Sequence, residues 1–266
     1  MTTSDELARL AVDLAAEHAS LDALVAPLDE ADWRRATPAA GWSIADQIGH
    51  LAYFDEAATV AILDPPAFAR SVTALAEALG ERDLDEVTLG WWRAQRPRDV
   101  LAGWRARRAA LADAARSLDP EPRLAWYGPS MSPRSFLSAR LMETWAHGTD
   151  VADALGAHLP ASDRLAHVAR LGVLTRDWSY AVRGETPPPG DVRVVLRSPT
   201  GAEWTWGADG AETVSGSAEE FCLVVTQRRH LDDTSLVAGE LGRHWLVRAQ
   251  AFAGGPTLGP PPRGAS

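Results

Sequence analysis

Residues 141–150 read LMETWAHGTD, and within them Glu143 and His147 stand four positions apart. At helical spacing these two side chains share one stripe, with Arg140 a turn earlier and Asp150 just beyond. A carboxylate and an imidazole one turn apart are donor types that hold zinc or non-haem iron. A solvated or ion-paired helix face presents the same pair, and spacing by itself leaves both readings open. A metal needs a third donor. His50, in IADQIGHLAYFDEA, is the candidate: it lies off the apolar line of its own helix, on a flank with Gln47 and Phe54. Two imidazoles and one carboxylate leave a coordination position open, as in a catalytic rather than a structural site.

Neighbouring polar residues have blander readings. His18 falls on the apolar line of the first helix and reads as a satisfied core histidine. Asp55, among the core positions of its helix, reads either as a partner orienting a ligand imidazole or as a helix-surface carboxylate. Asp150, at the edge of the polar stripe, caps or orients. Arg140, a turn before Glu143, is a candidate binder of a substrate carboxylate on geometry alone.

The elements that must position these residues are mostly helical. A first helix is expected from a Thr3–Glu6 capping box, with Leu7, Leu10, Leu14, Leu21, Val25 and Leu28 at helical spacing. A second should start at Ser43 and stop at Asp64-Pro65-Pro66, with Ile44, Ile48, Leu51, Ala58 and Ile62 as its core stripe. A shorter helix runs to Gly80, and another opens at Pro97. Ser132, Pro133 and Gly156 bracket the helix that carries Glu143 and His147. Its core stripe is Leu137, Leu141, Thr144, Gly148, Val151 and Leu155, and a second stripe, away from the first, holds Phe136, Arg140, Glu143, His147 and Ala154. Such a mixed face suits a cavity inside a bundle, where ligand pairs on facing helices build metal sites. Ser162 caps one more helix, ending near Gly184.

The character changes at ETPPPGD, residues 185–191. VRVVLRSP and AEWTWG then read as paired strands, Thr213–Ser215 as a third and TSLVAG as another, with helices through FCLVVTQRR and ELGRHWLVRAQAFAG. The expected fold is mainly α plus a small α+β unit: residues 1–184 helical, 191–254 α+β, and 255–266 a disordered tail.

Composition narrows the function classes. The net charge of −10 and pI near 5.2 argue against nucleic-acid and anionic-membrane partners. All 26 basic residues are arginine, which with heavy Ala, Pro and Gly usage suggests a GC-rich bacterial source. Cys222 in FCLVV reads as a small buried hydrophobe. Neither a secretion signal nor an 18-residue apolar run is visible, so a cytoplasmic location is expected. Oligomeric state is left open.

The stretch TPAAGWSIADQIGHLAYFDEAA, residues 37–58, resembles the signature of the mycothiol-dependent maleylpyruvate isomerase N-terminal domain, in the DinB-like metal-binding superfamily. RLMETWAHGTDVADALG is similar to that family's second motif. The segment from SGSAEEF to QAFAG resembles the accompanying C-terminal domain, of sterol-carrier-like α+β type. The likeness is greatest to an actinobacterial metal-binding subgroup without an assigned substrate. It implies a DinB-like up-and-down four-helix bundle with zinc on His50, Glu143 and His147, the residues reached above from spacing. It also implies a low-molecular-weight thiol, mycothiol, as cosubstrate and a small organic molecule as substrate. The family uses a C-terminal-domain arginine at its active site, which Arg228 or Arg229 in TQRRH would match, although a surface salt bridge explains either arginine equally well. The implied activities are cis–trans isomerisation or thiol transfer. The alternative is a non-catalytic metal-binding protein whose sterol-carrier-like domain binds an apolar ligand.

Overall fold

The computed structural model describes residues 3–264 and comprises two compact units, Met1–Leu159 and Pro160–Ser266. No helix among the described residues is long and apolar enough to cross a membrane.

The first unit contains α1 (Thr3–Val25), α2 (Ile44–Leu63), α3 (Pro65–Ala78), α4 (Leu84–Arg93), α5 (Pro97–Arg116) and α6 (Pro133–Leu155). The four long helices α1, α2, α5 and α6 make the bundle, with α1 and α2 each packing on both α5 and α6. Local chemistry sets the ends. Ser43 accepts from the Asp46 backbone N–H while the Asp46 carboxylate accepts from Ser43, a complete capping box. Ser132 accepts from Ser135 N–H, Pro133 opens the first turn of α6, and Gly156 closes it at φ +64°. Thr3, the expected cap, lies inside α1, and Glu6 pairs with Arg134 at 3.0 Å.

Ile44, Ile48 and Leu51 are fully buried, as their spacing predicts. Each contributes about 1.5–3 kcal/mol relative to exposure. Both stripes of α6 turn inward, as a mixed face on a bundle cavity requires. Phe136, Arg140 and His147 are buried along with Leu137, Leu141 and Val151, so the polar stripe faces the interior too. Helix α4 was not apparent from the sequence. Asp83 caps it, and its Trp92 fills the space left by Gly49 of α2 and Gly103 of α5. A Cβ on either glycine would stand 2.9 Å or 2.8 Å from Trp92 atoms.

The second unit is α+β, as expected. It contains α7 (Leu165–Leu174), α8 (Arg176–Ala181), β1 (Val192–Arg197), β2 (Glu203–Trp206), β3 (Glu212–Ser217), α9 (Ala218–Val225), β4 (Val237–Ala238) and α10 (Glu240–Leu246). The sheet order is β2-β1-β3-β4, with β1 antiparallel to β2 and parallel to β3. Val192, Val194 and Leu196 alternate inward along β1. Helix α7 packs on α9, so the compact division falls at Leu159–Pro160, ahead of the 185–191 stretch where the composition shifts. Beyond α10 the described residues are irregular; Thr257 Oγ1 donates to Gln227 at 2.7 Å, and the Arg263 N–H donates to Asp233. Cys222 is buried, and burial pushes its thiol well up.

Candidate metal centre

The segment TPAAGW forms a closed turn ahead of α2. Thr37 donates to the Trp42 carbonyl through both its N–H (2.8 Å) and its hydroxyl (3.0 Å), and Gly41 takes φ +78°. The turn holds the Trp42 indole face against His147, with centroids 5.9 Å apart and planes at 12°, and beside His50 at 5.1 Å. The indole N–H donates to Asp85 at 2.6 Å. On the other flank of His50 lies Phe54, at 4.6 Å.

His50 from α2 and Glu143 and His147 from α6 converge, with one ligand atom of each lying within 4.8 Å of the others. Glu143 Oε2 is 3.1 Å from His147 Nε2 and 3.5 Å from His50 Nε2. Donors on a common tetrahedral zinc, at bonds of about 2.0–2.2 Å, stand roughly 3.3 Å apart. The spacing fits. Burial would raise the Glu143 carboxyl, but hydrogen bonds and charge from His147 and His50 outweigh it and hold the group well below the carboxylate range.

A chain of hydrogen bonds fixes the tautomer of His147. The Trp42 carbonyl can only accept, so the Thr37 hydroxyl spends its proton there. The Gln47 amide NH₂ donates to that hydroxyl at 2.8 Å, which turns the Gln47 carbonyl oxygen toward His147 Nδ1. An amide oxygen only accepts, so Nδ1 carries the hydrogen and the Nε2 lone pair faces the Glu143 carboxylate. Two electron-rich atoms at 3.1 Å call for a positive charge between them, either a proton or a metal ion. Gln47 therefore does the orienting that outer-shell partners do in metal sites. Its place one turn before His50 was visible in the sequence, but its contact with a residue 100 positions away was not.

The remaining candidates are distributed as follows. Asp150 Oδ2 stands 4.0 Å from His147 Nδ1, at the margin of the cluster. Asp55 is not beside the three donors and is not on the surface either: it is fully buried and bonded to Arg140 of α6 at 2.8 Å and to Trp104 of α5 at 3.2 Å, with His18 Nε2 of α1 at 3.4 Å. Arg140 is thus committed to Asp55 in the bundle interior, which removes the geometric case for it as a substrate binder. Arg228 and Arg229 occupy the turn after α9. There Gln227 takes the left-handed conformation at φ +59°, and the N–H groups of Gln227 and Arg228 return to the carbonyls of Val224 and Leu223.

The fold and the cluster define a class: a helix-bundle protein with a candidate metal centre built between facing helices. The family follows. The chain belongs to that of the Mycothiol maleylpyruvate isomerase N-terminal domain, whose model matches residues 14–152. Among its relatives is an uncharacterized protein of Mycobacterium tuberculosis, found in two strains, 48% identical over 250 residues that cover 93% of this chain and 96% of the relative. Two crystal structures of mycothiol-dependent maleylpyruvate isomerase share the fold. The enzyme and a histidine-to-alanine mutant match at TM-score 0.58, with 18% and 17% identity, over 86% of this chain and 92% of theirs.

Proposed function

We propose that the protein is a zinc-dependent enzyme that uses mycothiol to isomerise, or to conjugate, a small organic substrate. The observation that carries the reading is the His50–Glu143–His147 cluster with the His147 tautomer fixed through Gln47. When bound, zinc would lower the pKa of a thiol at its open position, so that the sulfur is ionised at neutral pH.

The chain supplies the rest. His50, Glu143 and His147 would hold the ion, Gln47 would keep the His147 lone pair aimed at it, and the Trp42 and Phe54 rings would pack against the imidazoles. In the isomerisation, the thiolate adds to one carbon of a cis double bond, the bond made single rotates, and loss of the sulfur with its electron pair restores a trans double bond. Transfer would stop after addition, with a proton taken up at the neighbouring carbon. Arg228 or Arg229 would pair with a substrate carboxylate.

The test is turnover of cis-unsaturated acids and of simple electrophiles by zinc-loaded protein, with and without mycothiol. Thiol-dependent turnover that is lost in His147→Ala is expected. Turnover that ignores the thiol, or none across the panel, contradicts the reading.

A further inference from the structure

Three cross-helix pairs follow one another along the seam between α2 and α6. Gln47 meets His147, His50 meets Glu143, and Asp55 meets Arg140. Each step toward the C-terminus of α2 is matched by a step toward the N-terminus of α6, so the helices run antiparallel in one register. Asp55 lies roughly 7.5 Å along α2 from His50, and Arg140 roughly 4.5 Å along α6 from Glu143.

The last pair is the most enclosed. The Asp55 and Arg140 side chains are 0% and 3% exposed. The Asp55 carboxylate also takes the Trp104 indole N–H from α5 and lies beside His18 from α1, so every helix of the bundle reaches it. A buried ion pair is a weak source of net stability, because apolar residues of the same volume often serve as well or better. What it does supply is register. Apolar side chains tolerate a small slide or rotation of one helix on another, whereas two charges in a low-dielectric interior cannot part without a large penalty. A metal site needs that constraint, since its ligand distances must hold within about 0.2 Å.

We propose that the Asp55–Arg140 pair, braced by Trp104 and His18, is a positioning device that sets the register of α2 on α6 and with it the spacing of His50 from Glu143 and His147. The inference rests on the metal-centre reading and adds residues that touch none of the donors.

The test is zinc and cobalt affinity, by chelator competition, in a double variant Asp55→Leu/Arg140→Met that removes both charges and keeps an apolar volume. Leu7→Ala, a core truncation elsewhere in the bundle, serves as the comparison for generic destabilisation. The double variant is expected to stay folded and lose about ten- to a hundredfold in affinity, with altered cobalt visible bands, while Leu7→Ala keeps both. If the double variant does not fold, Trp104→Phe, which removes one donor to Asp55, decides, and a loss of threefold or more is expected. Affinity within twofold of wild type in the deciding variant overturns the inference alone, as does an equal loss in Leu7→Ala. Wild-type protein that takes up neither metal overturns the functional reading and this inference with it.

Discussion

Gln47 and His147 are joined side chain to side chain across the α2–α6 seam, and the Thr37 hydroxyl behind Gln47 dictates which way the amide faces. The link turns a freely tautomerising imidazole into a directed donor. Gln47→Met preserves volume and removes the acceptor. It should weaken zinc binding by about ten- to a hundredfold, read by chelator competition. Unchanged affinity would show that the imidazole needs no orientation from Gln47.

Strong acid should weaken the Asp55 network. Burial alone would raise this carboxyl, but Arg140 and then His18 outweigh it and bring it from 3.8 down to about 2. A carboxyl depressed in the folded state contributes stability that is fully present above its unfolded value and is lost as pH falls through the folded one. Chemical-denaturant stability of metal-free protein should therefore drop between about pH 4 and pH 2. Asp55→Asn should make that drop smaller, and because it leaves Arg140 buried without its counter-charge, it should cost about 3–5 kcal/mol at neutral pH.

Packing around Trp92 yields a contrast within one kind of substitution. Gly49→Ala and Gly103→Ala each place a methyl group against Trp92, and thermal unfolding should report a loss of about 1–3 kcal/mol for either. Gly90→Ala, exposed in α4 with open space around it, should instead add about 0.5–1 kcal/mol. Equal effects at all three positions would contradict the wedge.

Local signals were legible in the sequence, and long-range partnerships were not. Ser43, Ser132, Pro133 and Gly156 announce helix ends because caps act within a few residues. The same locality made Glu143 and His147 readable as a pair, and the apolar line of α2 placed His50 on a usable flank. Helix α4 stayed hidden because what holds it lies far away in sequence: Trp92 fits between Gly49 of α2 and Gly103 of α5, and Arg93 bonds Asp46 at 2.7 Å. Arg140 looked available because its partner Asp55 lies 85 residues away in sequence. Gln47 looked ordinary for the same reason. Periodicity names a face; it does not say which face of another helix will meet it.

The most direct test of the account is titration of the cobalt-substituted protein with mycothiol, together with metal analysis of the purified protein. Stoichiometric metal is predicted in the wild type and its loss in His147→Ala. Mycothiol should shift the cobalt visible bands and add a sulfur-to-metal absorption in the near ultraviolet. Protein that carries no metal, or loaded protein whose spectrum mycothiol leaves unchanged, would contradict the proposal that this cluster activates a thiol.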